Sequence, residues 1–266
     1  MSHGEGGDRL GAPRIVALGG HEFRSRPGEL AITRHLLELT RTGKPKVCLL
    51  PTAGGDPQEG ITGFYSALEH FDCEPTHISL FRLERQRVDL RRHLLAQDLI
   101  YVAGGSMLNL IAIWRAHGLD RILPEAWRRG TLLAGQSAGA MCWFELGITA
   151  SSGRPRPAGG LCLLPGALSV HYGRDPERRQ TLLTEVGAGL RNGYALDDGA
   201  GLLFEGTRPV EAFAGARGAR VVRVVRDGAR VREMPLHPIP LRQELDPVDP
   251  AILERRALRR MKAAGR

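Results

Sequence analysis

The sequence predicts an α/β protein built on a doubly wound, mostly parallel sheet. Three observations carry that expectation. Five short, continuous apolar runs, at residues 14–20, 46–53, 76–81, 98–105 and 131–136, read as strands covered on both faces. Longer segments with apolar residues at helical spacing stand between them, so strand and helix alternate. The chain has 266 residues, 42% of them hydrophobic, which is enough core for one large α/β domain or two small ones.

Residues 1–13, MSHGEGGDRLGAP, have no apolar signal core and read as a disordered leader. RIVALGG opens the domain as its first strand, and ELAITRHLLELTRTG follows as a helix stopped at Gly43. KVCLLPTA is the second strand, FYSALEHF a helix, and THISLF and DLIYVAGG the next two strands. MLNLIAIWRAHG and LDRILPEAWRRG are helices stopped at Gly118 and Gly130, and TLLAGQ is the fifth strand, leading into AGAMCWFELG as a further helix. After about residue 150 the pattern changes. SSGRPRPAGG reads as a loop, and LCLLPGALSVHY and GYALDDGAGLLFEG as strand-rich segments around the helix PERRQTLLTEVGAG. VVRVVRDGARVREM alternates about an Asp-Gly pair and predicts a C-terminal β-hairpin. No linker-like composition divides residues 14–235, which are taken as one domain; residues 236–266 are taken as a basic, irregular, partly helical tail.

Composition narrows the function classes. No apolar stretch is long enough for a membrane span, so no membrane partner and a cytoplasmic location are expected. The four cysteines form no C-x-x-C pair, and those in apolar runs (Cys48, Cys142 and Cys162) are expected to be buried thiols. The nine histidines lack ligand spacing, so neither a metal nor another cofactor is expected. All but Lys44, Lys46 and Lys262 of the 37 basic residues are arginines, and the net charge is +8. These charges are spread along the chain. The cluster RRALRRMKAAGR reads as a solvated tail, so nucleic acid is not the expected partner.

Chemistry gathers at GQSAGAMCWF (135–144). Ser137 stands between a predicted buried strand and a predicted helix, flanked by Gly135 and Gly139, as a nucleophile elbow requires; a small residue at a tight packing point is the other reading. VAGGSMLNL (102–110) supplies a second glycine-rich turn after the neighbouring strand. The N–H groups of Gly104 or Gly105, with that of Ala138, would form an oxyanion hole there. The turn also suits an anion, but it lacks the Lys-Ser/Thr pair of a phosphate-binding loop. His171 in LSVHYG ends an apolar run and is the candidate base. Asp197 and Asp198 lie at another strand–turn junction, and because neighbouring side chains of a strand face opposite ways, only one should reach the imidazole.

Taken in order, GQSAGAMCWFELGIT, the Gly-Gly turn before LNLIAIWR, HYGRDPERR and LDDGAGLLF resemble dipeptidase E-like serine peptidases, of the superfamily that includes cyanophycinase. The resemblance covers roughly residues 14–235. It implies a class I glutamine amidotransferase-like (flavodoxin-like) fold with serine in place of the nucleophilic cysteine, no metal, and cleavage after an N-terminal aspartate. It makes Ser137 the nucleophile, His171 the general base, Asp198 the third member, and Gly105 and Ala138 the oxyanion donors. The chain order Ser…His…Asp differs from the Ser…Asp…His of α/β-hydrolase esterases. Two departures bear on specificity. Relatives carry Gly-Gly-Gly-Asn-Thr where this chain has Ala103-Gly104-Gly105-Ser106-Met107, which puts Ser106 near the substrate, and Thr149 is followed by Ala150-Ser151 rather than Asp-Ser. Arg178 and Arg179, just beyond His171, are candidates for gripping a substrate carboxylate. The expected partner is a small peptide, and a homodimer is compatible with the sequence. An isopeptide or ester hydrolase on the same site, or a non-catalytic member binding a ligand or nucleic acid, are the alternatives.

Overall fold

The computed structural model describes residues 12–23, 26–86 and 88–243. Its strands form two sheets. The larger has eight strands and the smaller six.

The parallel centre of the larger sheet is made of the apolar runs read from the sequence: β1 (Arg14–Leu18), β2 (Lys46–Leu50), β4 (Leu99–Val102) and β5 (Leu132–Gln136), with β3 (Glu74–His77) at one edge. Their order is β1-β5-β4-β2-β3. Alternate side chains enter opposite cores. Ile15, Ala17, Cys48 and Leu50 pack on one face, and Val16, Leu18, Val47 and Leu49 on the other. Helices α1 (Pro27–Leu39) and α2 (Gln58–Leu68) cover the second face through Ile32, Leu36, Ile61 and Phe64. The short helices α3 (Leu83–Gln86) and α4 (Leu90–Leu95) precede β4, and α4, α5 (Met107–His117) and α6 (Leu119–Arg128) cover the first face through Leu94, Leu110, Trp114 and Leu123. Helices on both faces make the sheet doubly wound, consistent with the flavodoxin-like, class I glutamine amidotransferase-like architecture.

Beyond β5 the structure departs from the sequence expectation. The predicted helix after Ser137 is a single turn, α7 (Ala138–Met141), and Phe144–Thr149 is a strand, β6. Trp143 and Phe144 are fully buried between the sheets, so an apolar run that fits either element becomes a strand by pairing with β8 (Leu164–Val170). Part of the predicted loop is also a strand, β7 (Arg156–Gly159), at the edge beside β6. The segment 193–206 divides between the sheets: β9 (Gly193–Leu196) joins the smaller one, and β10 (Ala200–Glu205) pairs antiparallel with β1. Asp197 and Asp198 occupy that crossing. Helix α8 (Pro176–Gly187) covers the outer face of the smaller sheet through Leu182 and Val186.

The hairpin β12 (Val221–Asp227) and β13 (Arg230–Leu236) forms as expected, but its two loop residues are Gly228 and Ala229, with Gly228 at φ +61°. Strand β11 (Arg208–Ala214) extends the larger sheet, and β14 (Ile239–Pro240) pairs parallel with it, so the start of the expected irregular tail is an edge strand. The expected leader spans residues 1–13 and the expected tail residues 236–266; positions 1–11 and 244–266 lie outside the described residues. Gly118 and Gly130 stop helices at positive φ, whereas after α1 that conformation falls on Arg41 rather than Gly43. Cys48, Cys73 and Cys142 are buried, but Cys162 is exposed, because its run lies on the turn that leads into β8.

Candidate active site

The carboxyl ends of β1, β2, β4 and β5 lie side by side, with Leu18 paired to Gln136, Val102 to Gly135 and Leu50 to Val102. The turns that follow these strands therefore share one edge. Ser137 begins immediately after β5 with φ 52° and ψ −116°, a conformation costly for any residue with a side chain. Neighbouring glycines make the sharp turn sterically feasible. A Cβ on Gly135 would strike the Gly139 carbonyl, and one on Gly139 would strike that of Val102. Two ordered bonds fix the turn, from Ser137 N–H to Leu18 O (3.1 Å) and from Met141 N–H to Ser137 O (2.9 Å). The strained turn is thus held from both sides.

The serine hydroxyl points at the smaller sheet. Ser137 Oγ lies 3.1 Å from His171 Nε2, and His171 Nδ1 is hydrogen-bonded to Asp198 Oδ1. His171 follows β8 directly and also has positive φ, 57°. Asp198 is held below the usual carboxylate range, first by the hydrogen bond from His171 and then by the nearby charges of His171, Arg174 and Arg178, against an opposing cost of burial. Asp197 faces elsewhere: it accepts from Gly173 N–H (2.7 Å), Arg220 N–H (3.1 Å) and Arg220 Nε (2.8 Å). It anchors the turn two residues beyond the imidazole.

The glycine-rich turn after β4 borders the serine. Gly104 approaches so closely that an added Cβ would lie 3.2 Å from Ser137 Cβ. Gly105 has φ +144°, and a side chain there would collide with the Ala53 carbonyl. Ala138 is the first residue of α7, where a helix offers its N–H no internal partner. Because α7 has only one turn, its dipole adds little, and negative charge here depends on individual N–H groups.

The remaining predicted residues have other partners. Ser106 is the N-cap of α5, accepting from Asn109 N–H at 3.2 Å. Arg178 is largely buried and binds Asp175 Oδ2 (2.9 Å) and the Ile148 carbonyl (3.0 Å). Arg179 forks onto Glu233, which also accepts from Tyr172 Oη at 2.7 Å. Neither guanidinium is brought to Ser137, because the first turn of α8 directs both toward carboxylates of the chain itself.

The arginine at the site is Arg174, whose Nη1 lies 3.1 Å from Asp198 Oδ2 and Nη2 3.2 Å from His171 Nδ1. Sequence reasoning missed it. Only the positive φ of His171, which closes a turn with Arg174 N–H on the His171 carbonyl (3.0 Å), brings it back. Gly20 was legible as part of the Gly-Gly pair after β1: a Cβ there would lie 2.5 Å from Asp198 Oδ1. Beside it, His21 is fully buried against Tyr101 Oη (2.9 Å), and its backbone N–H reaches Gln136 Oε1 (3.3 Å), next to Ser137. Among the described residues no three His, Cys, Asp or Glu side chains converge as metal ligands would, and no helix is long and apolar enough to cross a membrane.

A hydroxyl, imidazole and carboxylate in line at the carboxyl edge of a doubly wound sheet are the marks of a serine hydrolase. Comparison with known proteins narrows that class. The model of peptidase family S51 matches residues 15–211, and the chain belongs to that family of serine-type peptidases. It is 38% identical over 224 residues to the uncharacterized peptidase YgaJ of Bacillus subtilis (strain 168), covering 84% of this chain and 96% of that one. Two solved structures share the fold with a TM-score of 0.58 and 18% identity each. One is a peptidase from an acI-B1 Actinobacterium, covering 86% of this chain and 96% of that one. The other is a protein assigned as peptidase E from Listeria monocytogenes EGD-e, covering 76% and 98%.

Proposed function

We propose that this serine peptidase hydrolyses small peptides through Ser137, His171 and Asp198, by way of an acyl-enzyme. The observation that carries the reading is the 3.1 Å approach of Ser137 Oγ to His171 Nε2 with Asp198 bonded behind the ring. With His171 Nδ1–H donating to the Asp198 carboxylate, the Nε2 lone pair faces the serine. His171 takes the Ser137 proton as Oγ attacks the scissile carbonyl, and the N–H groups of Gly105 and Ala138 receive the developing oxyanion. His171 then returns the proton to the leaving amine, and water, activated by the same imidazole, hydrolyses the ester.

A cavity of about 380 Å³ lined by Gly104 and Gln136, the residue before the serine, suits substrates of a few residues. Asp-X dipeptides remain within this class, although Arg178 and Arg179 offer an N-terminal aspartate no anchor. Ser137→Ala tests the reading: the variant should fold like the parent and lose about three to six orders of magnitude in dipeptide turnover. Turnover within tenfold of the parent would remove Ser137 from the chemistry.

A further inference from the structure

Resting on the serine-peptidase reading above, we infer that the cavity beside Gly104 and Gln136 takes the side chain of the residue that supplies the scissile carbonyl. Its Glu22 and Glu59 carboxylates select a cation there, lysine or arginine, over aspartate. The position of the cavity assigns the residue. Every lining residue belongs to the larger sheet or to the segments that follow its strands, α2 included, whereas His171 reaches Ser137 from the end of β8 in the smaller sheet. The imidazole must deliver its proton to the departing nitrogen, so the amine leaves on the smaller-sheet side and the acyl residue lies toward the larger sheet. The cavity wall reaches the serine there. A Cβ on Gly104 would lie 3.2 Å from Ser137 Cβ, and Gln136 immediately precedes it.

The lining matches one kind of side chain. Phe23, Leu49, Pro51 and Pro57 supply apolar wall, and Glu22 and Glu59 are exposed, so their carboxylates stand toward solvent. Lysine and arginine pack their methylenes on apolar surface while the charged head stays in water, as such a lining allows.

Charge points the same way. Among the described residues no lysine or arginine lines the cavity, in a chain of net charge +8. His21 adds no positive charge at neutral pH, because burial lowers it to about 4. The N-terminus of α2 contributes roughly half a positive charge, but Glu59 lies in that same first turn and Glu22 adds a second carboxylate. The balance is negative. A substrate aspartate would meet like charge here, and Arg178 and Arg179 are already bound to Asp175 and Glu233.

Binding to Ser137→Ala, measured by calorimetry at low salt, tests this apart from turnover, with Lys-Leu, norleucine-Leu and Asp-Leu as probes. All three share the α-ammonium and the C-terminus, so only the first side chain differs. Lys-Leu should bind about three- to tenfold more tightly than norleucine-Leu, the range open to two partly solvated carboxylates, and at least about tenfold more tightly than Asp-Leu. Adding Glu22→Gln and Glu59→Gln should bring the lysine-to-norleucine ratio below about twofold, with thermal unfolding as the check on folding. The comparison of the three probes decides even if that variant unfolds. Equal or tighter binding of norleucine-Leu, tighter binding of Asp-Leu, or a lysine preference unchanged in the folded Gln variant overturns the proposal. Turnover of Ala-Leu by the unmodified enzyme reports separately on the peptidase reading, so the two can fail independently.

Discussion

Replacing Asp198 by Asn separates the two neighbouring aspartates. Asp198 serves two donors at once, His171 Nδ1–H on one oxygen and Arg174 Nη1 on the other. An amide has only one acceptor oxygen. If it serves His171, the amide NH₂ faces the Arg174 cation; if it serves Arg174, the NH₂ faces Nδ1 and stabilises the tautomer whose Nε2 carries a proton and cannot accept from Ser137. A buried triad acid loses about 10⁴-fold in turnover on this change, roughly 5.5 kcal/mol. The Asp198 side chain is 41% exposed, so water can replace part of the lost acceptor, and the expected loss is about 10²–10⁴-fold. Asp197→Asn weakens bonds to Gly173 and Arg220 and reaches the imidazole only through the backbone, so it should cost less than about tenfold. The assay is kcat/KM for dipeptide hydrolysis, with thermal unfolding to show that both variants fold. A larger loss in Asp197→Asn than in Asp198→Asn would refute the reasoning and transfer the role to Asp197.

Two further perturbations follow. Arg178→Met removes bonds to Asp175 and the Ile148 carbonyl, so it should lower stability by about 1–3 kcal/mol while the ratio of kcat/KM for Asp-Leu to that for Ala-Leu changes less than threefold; a selective loss on Asp-Leu would return Arg178 to the substrate. His21 is lowered to about 4 by burial, against the hydrogen bond to the Glu29 backbone. The unfolded chain takes up this proton near pH 6.5 and the folded one only near 4, so stability is full above pH 6.5 and declines by about 3 kcal/mol down to pH 4. Denaturant titrations of His21→Gln should show a shallower slope over that window, and an unchanged slope would contradict the assignment.

Much of this was legible in the sequence for identifiable reasons. β1, β2, β4 and β5 are covered on both faces, so their runs are continuously apolar and periodicity finds them. The elbow at Ser137 declares itself through the glycines that backbone collision demands. In the smaller sheet β8, β9 and the β12–β13 hairpin were legible too, but β6 and β7 were not. Strand β6, Phe144–Thr149, follows a one-turn helix with no breaker between them, and local pattern cannot divide the two. The side-chain pairing of Arg178 and Arg179 was hidden too, because Asp175 is a local cap but Glu233 lies 54 residues away on a hairpin. Arg174 depended on the unusual φ of a histidine, which composition does not encode.

Activation of Ser137 as a nucleophile is measured directly by a fluorophosphonate probe. Mass spectrometry of the labelled, digested protein should find one adduct on the peptide carrying Ser137, formed in the parent and suppressed at least a hundredfold in rate by His171→Ala, which removes the base 3.1 Å away. A folded parent that stays unlabelled, or carries its adduct on another residue, would contradict the account.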